Sequence, residues 1–230
     1  MEVYAADFET TTNPEDCRVW AWGITNINTP KNIVTGNSMD TFIEYISTLD
    51  GRIYFHNLKF DGRFIIDWLF RHGYEWTAGK FLLPYEFNTL ISNMNVFYSM
   101  RIRFPDSTAG IEKKLEIYDS LKIMPFSIAQ MAKTFKLDRR KEELDYKEDR
   151  PIGHELTEEE ISYLQADVYI LAKGLQFMFN AGQKKMTTGS NALADYKKRI
   201  TRKKFERFFQ KLTRLRIATY DKVIRAGGHI

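Results

Sequence analysis

Apolar and polar positions recur along this chain with two different periods, and the changes between them predict an alternation of strands and helices. Residues 3–10 and 18–27 have the short, apolar-rich pattern of strands, with a polar turn between them. Residues 38–49 repeat apolar side chains at steps of three and four, which indicates a helix with Ser38 or Asp40 as its N-terminal cap. These elements favour an α/β fold.

The same pattern continues through the middle of the chain. A short strand at 51–55 leads through a polar stretch to a helix over 63–73 that ends at Gly73. Residues 95–104 and 113–121 have the pattern of two strands that flank a turn as a hairpin. A helix is predicted over 127–135, and the charged residues 138–155, which lack periodicity, predict a loop.

The clearest helix in the sequence spans residues 157–179. Thr157 and Glu160 have the spacing of a capping box, and a stripe of apolar residues indicates one buried face. Tyr163 and Asp167 lie four residues apart and therefore on one side of this helix, next to the apolar stripe. The pair fits either a polar cleft beside the core or an ordinary surface contact.

Composition restricts the chemistry that the chain can perform. The hydrophobic content of 43% with 14% aromatic residues is typical of a folded protein, and no apolar run approaches the ~20 residues of a membrane span. The first residues lack the pattern of a signal peptide. One cysteine, Cys17, excludes an internal disulfide and favours a reducing, cytoplasmic compartment. Four scattered histidines form no zinc pattern, so a bound metal would be a hard cation held by carboxylates.

Charge is distributed unevenly along the chain. The net charge is +4, but residues 197–225 carry twelve Lys or Arg and only two acids. Aromatic and leucine residues recur in this segment at helical spacing, which predicts a helix that docks through them and turns its basic face outward. A polyanion is the expected partner of that face; a solvated surface, or one that packs on a further domain, is the alternative.

Four carboxylates stand at places where they can meet. Asp7 and Glu9 lie two residues apart in a strand and point to the same face, while Asp61 follows the strand at 51–55 and begins a helix. Asp7 and Glu9 could be a solvated strand end, and Asp61 could be a helix cap. With Asp167 and Tyr163, however, the set suits two hard cations, which relieve the repulsion between the acids and clamp the oxygens of a phosphoryl transfer.

At this point the sequence resembles a known family. The order and spacing of its acids are similar to those of the tyrosine branch of the DEDD exonucleases. Asp7 and Glu9 are separated by one residue, Asp61 follows, and Tyr163 and Asp167 are separated by three residues. The surrounding sequence motifs resemble the exonuclease domain of protein-primed family B DNA polymerases from small tailed bacteriophages. These motifs are "DFETTT", "EDCRVWAWG", "YFHNLKFDG", "YDSLK", "KTFKL", "RPIGHELTEEE" and "TTGSNAL". The resemblance runs nearly the whole length of the chain.

The resemblance implies a fold, an activity and roles for particular residues. The fold is α/β, with a ribonuclease-H-like mixed sheet flanked by helices and a basic helical segment at the C-terminal end. The activity is removal of nucleotides from single-stranded DNA 3′ ends. Two Mg²⁺ or Mn²⁺ ions would be held by Asp7, Glu9, Asp61 and Asp167. Tyr163 would orient the attacking water, and Lys141 would stabilise the charge that develops on phosphate.

Further positions match residues that grip the DNA 3′ end in the family. They are Thr10, His56, Asn57, Phe60, Ser120 and Leu121, with Tyr146 as a possible helper of the loop that carries Lys141. Phe60 offers a stacking face, and Thr10 and Asn57 offer hydrogen bonds to sugar or base.

One departure limits what the resemblance implies. Arg225 stands before Gly227 and Gly228 where the family has a tyrosine, and the catalytic motifs of polymerisation do not follow. We therefore expect an exonuclease domain at 1–190 and a basic connector at 191–230, without polymerase activity in these residues.

Three functions remain open at this stage. The first is a two-metal 3′–5′ exonuclease, monomeric and active in the cytoplasm of a bacterial host, with a terminal protein primer and a polymerase domain as possible partners and no membrane. The second is a non-catalytic nucleic-acid-binding fragment. The third is a related exonuclease that trims RNA, because none of these residues excludes the 2′-hydroxyl.

Overall fold

A computed structural model gives the positions of residues 1–105, 115–140, 144–145 and 150–208, and the description below concerns these residues. The strands are β1 Glu2–Thr10, β2 Val19–Asn26, β3 Val34–Gly36, β4 Gly51–Phe55, β5 Glu75–Trp76, β6 Glu86–Ile91, β7 Phe97–Arg103 and β8 Leu115–Asp119. The helices are α1 Met39–Ser47, α2 Leu58–Arg71, α3 Ile128–Thr134, α4 Glu158–Asn180, α5 Thr188–Arg199 and α6 Arg202–Phe208, with a short 3₁₀ turn at Ser120–Lys122.

The strands form one mixed sheet in the order β3-β2-β1-β4-β8-β7-β6-β5. β1 pairs antiparallel with β2 and parallel with β4, and β4 pairs parallel with β8. β7 returns antiparallel beside β8, which confirms the predicted hairpin. Because β1, β4 and β8 run in the same direction, their carboxyl ends lie at one edge of the sheet, where side chains from distant parts of the chain can meet.

The sheet is covered on both faces, as consecutive residues of its strands show. Ala6 and Phe55 belong to a core cluster with residues of α1 and α2, whereas Ala5 and Tyr54 belong to a second cluster with residues of α3 and α4. This is the alternation that a strand buried on two sides produces. The predicted fold of a mixed sheet flanked by helices is therefore confirmed.

The helix ends agree with the capping signals in most places. Ser38 caps α1, with its side chain accepting from the N–H of Thr41, and Thr157 with Glu160 forms a complete capping box on α4. Gly73 follows the end of α2 with φ of +78°, the left-handed backbone that glycine adopts at low cost. The start of α2 was predicted too late: the helix begins at Leu58, and residues 58–61 already form its first turn.

Two other predictions need correction. Helix α4 is buried on most sides between Tyr163 and Leu175, so the single apolar stripe underestimates its burial. The basic C-terminal segment begins as two helices, α5 and α6, rather than one. The helical structure is interrupted before α6, where the hydroxyl of Thr201 accepts from the N–H of Lys204 at 3.3 Å. Residues 209–230, the rest of that predicted helix, lie outside the described residues.

The chain divides into two compact units, Met1–Thr188 and Gly189–Ile230. The predicted domain boundary at residue 190 stays a prediction. Among the residues described, helices long and apolar enough to cross a bilayer are absent.

Candidate functional site

The end of β1 directs two carboxylates away from the core formed with α1 and α2. Phe8 packs its ring edge-to-face on Phe42 and Phe55, with centroids 4.7 and 4.8 Å away. Asp7 and Glu9 therefore project from the opposite face, the one that α4 covers. The pairing with β2 shifts between Glu9 and Thr10, and this irregularity re-aims the last residues of the strand.

Helix α4 brings a third carboxylate to this place. Oxygens of Asp7, Glu9 and Asp167 all lie within 4.8 Å of one another. Glu9 and Asp167 are almost fully buried, with 5% and 3% of their surface exposed. Tyr163 is 2% exposed on the preceding turn of the same helix, so the interpretation of this pair as a surface contact is wrong.

Asp61 is the fourth carboxylate, and it lies buried in the first turn of α2. Burial raises its pKa to about 8, and the negative charges of Glu9 and Asp119 contribute in the same direction. The cap of α2 is Asn57 rather than Asp61, so the interpretation of Asp61 as a helix cap is wrong. A buried acid with two acidic neighbours is typical of a site that holds its charge only with a cation.

The donor set fits a hard divalent cation. Such ions bind carboxylate oxygens at roughly 2.0–2.6 Å, so oxygens on one ion lie up to about 4–5 Å apart. The three oxygens of Asp7, Glu9 and Asp167 meet this condition. Asp61 is close enough to Glu9 for the charge of Glu9 to raise its pKa. Which ion these residues bind, and whether they bind two, stays a prediction.

The residues predicted to grip a 3′ end occupy the same edge of the sheet. His56 joins the segment after β4 to the one after β8, since its Nδ1 lies 2.9 Å from Ser120 Oγ and its Nε2 lies 2.7 Å from the carbonyl of Phe126. Asn57 has a left-handed backbone with φ of 81°. Phe60 keeps 37% of its surface exposed, as a stacking face requires.

Two more predicted residues at this edge are less buried than their neighbours. Thr10 ends β1 and is half-buried, and Leu121 is half-buried in the turn after β8. Lys141 and Tyr146 lie outside the described residues, so their predicted roles remain predictions.

Asp119, which ends β8 and is 2% exposed, was not predicted from the sequence. Its Oδ1 accepts from the N–H groups of Asn57 and Leu121 at 3.1 and 3.0 Å, and its Oδ2 lies 3.2 Å from Lys122 Nζ. The sequence did contain a local signal for this role. An aspartate at the end of a strand commonly accepts a hydrogen bond from the backbone N–H two residues later and so forms a turn. Without the pairing of β4 with β8, however, nothing connects Asp119 to Asn57.

A second buried polar cluster was also missed, inside the region predicted as a loop. Arg150 Nε lies 2.6 Å from Glu160 Oε1, and His154 Nε2 lies 2.7 Å from Glu160 Oε2. The guanidinium of Arg150 stacks over Trp20 at 4.3 Å. The cluster therefore ties the loop to β2 and to the first turn of α4, one turn before Tyr163.

Comparison with known proteins identifies relatives of this arrangement. A family model described as DNA polymerase type B, organellar and viral, matches residues 44–152. The DNA polymerase of Bacillus phage Nf is 42% identical over 226 residues, which cover 97% of this chain and 38% of the phage protein. The DNA polymerase of Bacillus phage phi29 is 43% identical over 216 residues, or 92% of this chain and 36% of that protein.

Solved structures agree with these relatives. Phi29 DNA polymerase in an orthorhombic crystal form superposes with a TM-score of 0.88 at 41% identity, covering 97% of this chain and 38% of that one. The same polymerase complexed with single-stranded DNA gives a TM-score of 0.84 at 42% identity, with 89% and 36% covered. The chain thus spans less than two fifths of the length of the curated relatives it matches.

Proposed function

This chain is a homologue of the N-terminal part of phage type B DNA polymerases, and from that premise we propose that it is a 3′–5′ exonuclease acting on single-stranded DNA ends. The observation that carries the proposal is the meeting of Asp7, Glu9 and Asp167 within 4.8 Å at the carboxyl edge of the sheet. Asp61 and Tyr163 stand beside them, both almost fully buried. An acid cluster of this kind is costly to fold unless it serves to bind cations.

Each group has a task that follows from its position. Asp7, Glu9, Asp61 and Asp167 would hold two Mg²⁺ or Mn²⁺ ions, which supply Lewis acidity and neutralise charge at the scissile phosphate. Tyr163 directs its hydroxyl from α4 toward that phosphate and orients the attacking water. Phe60 stacks on the terminal base, while Thr10 and Asn57 donate or accept hydrogen bonds at the sugar. Lys141, which lies outside the described residues, would supply a cation that stabilises the charge on phosphate.

The setting of this activity is proposed on the same basis. Phi29 DNA polymerase has been solved with single-stranded DNA and with primer-template DNA. We expect this chain to proofread for a protein-primed viral DNA polymerase in the cytoplasm of its bacterial host. The expected partners are a polymerase region and a terminal protein primer, and the chain itself is expected to be monomeric.

The test is digestion of an oligonucleotide labelled at its 5′ end, with Mg²⁺, with Mn²⁺ and with chelator. A ladder that shortens from the 3′ end only when a divalent ion is present is the expected result. The double variant Asp7→Ala with Asp61→Ala should produce no ladder. The control is Asp67→Ala, which removes an exposed carboxylate of α2 that pairs with Arg71 and should digest at the wild-type rate.

Other outcomes identify other functions. Binding without digestion under all ion conditions would indicate a non-catalytic nucleic-acid-binding fragment. Faster digestion of a matched RNA oligonucleotide would indicate an exonuclease that trims RNA. Digestion that persists in the double variant would contradict the assignment of the carboxylates.

A further inference from the structure

The carboxylate of Asp119 lies where two segments predicted to hold the DNA 3′ end come together. β4 and β8 run parallel, and Phe55 pairs with Asp119 in their register. The residues after the two strands therefore leave the sheet side by side. One segment carries His56 and Asn57, and the other carries Ser120 and Leu121.

Both oxygens of Asp119 contact protein groups from these segments. Oδ1 accepts from Asn57 N–H at 3.1 Å and from Leu121 N–H at 3.0 Å. Oδ2 lies 3.2 Å from Lys122 Nζ. One buried side chain thus joins the backbone after β4 to the backbone after β8, and hydrogen bonds to a charged acceptor are stronger than neutral ones.

The bond to Asn57 fixes an unfavourable backbone conformation. Asn57 has φ of 81° and ψ of 52°, the left-handed region that residues other than glycine adopt at a cost. It is also the residue from which α2 begins, so its conformation sets the direction of the turn that carries Phe60 and Asp61. Loss of the Asp119 acceptor would release this conformation.

A second contact makes the two segments one body. His56 Nδ1 lies 2.9 Å from Ser120 Oγ, and His56 Nε2 lies 2.7 Å from the carbonyl of Phe126. The histidine and Asp119 therefore cross the same gap at two points. Groups held in this way are ordered before the ligand arrives, which lowers the entropic cost of binding.

We propose that Asp119 is a positioning residue that holds the two segments as one preformed surface for a single-stranded 3′ end and so sets affinity rather than the rate of cleavage. The proposal rests on the proposed exonuclease function and adds to it the residue that organises substrate binding. The competing role is a further metal ligand, which the proximity of Asp119 to Asp61 suggests.

The experiment compares Asp119→Asn and Asp119→Ala with wild type and with Glu116→Gln. Glu116 is the control because it lies on the same strand, faces the other side of the sheet, and pairs with Arg52 at 3.0 Å. The dissociation constant of a short single-stranded DNA is measured in chelator, and kcat and the Mg²⁺ concentration for half-maximal rate are measured separately. Circular dichroism checks the fold of each variant.

Asp119→Ala should weaken binding about tenfold or more, because two hydrogen bonds to a charged acceptor are removed. Asp119→Asn keeps an acceptor oxygen and should recover most of that loss. The kcat and the Mg²⁺ requirement should stay within about threefold of wild type, which is small beside the loss expected for a ligand of the metal. If the alanine variant fails to fold, Asp119→Ser takes its place against Glu116→Gln, because the shorter serine side chain cannot accept from both N–H groups and should weaken binding in the same way.

Unchanged binding in both Asp119 variants would overturn the inference. A fall in kcat with a raised Mg²⁺ requirement and normal binding would place Asp119 among the metal ligands instead. A wild-type chain that does not bind the oligonucleotide overturns the inference as well. A wild-type chain that binds but does not digest contradicts only the proposed exonuclease function.

Discussion

Two buried groups of charged side chains, one around Glu160 and one around Asp61, differ in what surrounds their acids. Glu160, in the first turn of α4, accepts from the N–H of Thr157 and contacts His154 and Arg150. Burial alone would raise its pKa, but these partners outweigh burial and lower the pKa to about 2. Burial raises the pKa of Asp61 to about 8, and its acidic neighbours Glu9 and Asp119 contribute in the same direction.

The difference separates a structural role from a functional one. The charge of Glu160 is balanced inside the folded chain, so its contribution is complete once the chain folds. The acids around Asp61 repel one another in the folded chain, and a cation bound as proposed would relieve that repulsion. A role in folding and the proposed role in cation binding thus fall to two different sets of residues, and substitutions should separate them.

The largest effect is expected for a substitution among the acids around Asp61, which leaves Glu160 and its partners intact. Asp61→Ala should lower the digestion rate by roughly a thousandfold or more, because several kcal/mol of transition-state stabilisation depend on the metal ligands. The free energy of unfolding should stay equal or rise, since one of several clustered charges is removed. Rate assays and urea unfolding measure the two quantities. Full digestion, or an unfolded chain, would contradict the assignment of Asp61.

The next substitution removes the charge of Glu160 and leaves the acids around Asp61 intact. Glu160→Gln leaves Arg150 buried without its opposite charge and should cost about 3 kcal/mol of unfolding free energy. The folded fraction should still digest DNA. Urea unfolding measures this against Glu159→Gln, a control at an exposed position of the same helix turn. Equal stability of the two variants would show that the Arg150 pair is not the structural group.

A third change tests the hydroxyl beside the acids. Tyr163→Phe should slow hydrolysis by roughly one to three powers of ten with little effect on binding. Tyr169→Phe is the control, because the Tyr169 hydroxyl donates to Asp138 at 2.8 Å from another side of α4. Single-turnover rates and DNA affinities distinguish the two. Equal rates for Tyr163→Phe and wild type would exclude Tyr163 from the reaction.

Lys141→Ala should likewise lower the rate and leave affinity nearly intact. The same single-turnover and binding assays measure both quantities. A large loss of affinity at an unchanged rate would instead make Lys141 a phosphate anchor.

The two groups should also respond oppositely to pH. The folded pKa of Asp61 is raised from 3.8 to about 8, so without metal its part of the stability falls as pH rises between these values. The folded pKa of Glu160 is lowered from 4.5 to about 2, so its part is present above pH 4.5 and is lost as pH falls toward 2. Melting temperatures in chelator from pH 5 to pH 8 should decline less in Asp61→Asn than in wild type. Parallel curves would contradict the raised pKa.

The smallest effect concerns the basic helix α6, which takes no part in either group. Lys203, Lys204 and Arg207 are exposed there, as predicted. Replacing them by Gln should make the dependence of DNA affinity on salt shallower by about 0.7 in logarithmic slope for each phosphate that they no longer neutralise. The control replaces three other exposed lysines by Gln and so makes the same change of charge. They are Lys31, Lys133 and Lys136. An unchanged slope would remove α6 from the DNA-binding surface.

The sequence predicted most of the fold and the meeting of Asp7, Glu9 and Asp167, for physical reasons. Strand alternation placed Asp7 and Glu9 on one face, and helical spacing placed Tyr163 beside Asp167, because both depend only on local geometry. The same local rules failed for Asp119 and Arg150. Their partners are 62 and 10 residues away, and only the pairing of β4 with β8 and the path of the loop bring them together.

The wide separation of the acids along the chain has a consequence for the order of folding. β1, which carries Asp7 and Glu9, is an interior strand of the sheet and precedes α4 in the chain, whereas Asp167 arrives only with α4. A chain that has not yet packed α4 therefore carries two acids of the site without the third. Pairings between such distant residues form slowly, because closing a long loop costs entropy before any interaction repays it. Strong binding of divalent ions should consequently be the last property that a refolding chain acquires, and it would report the docking of α4 in time.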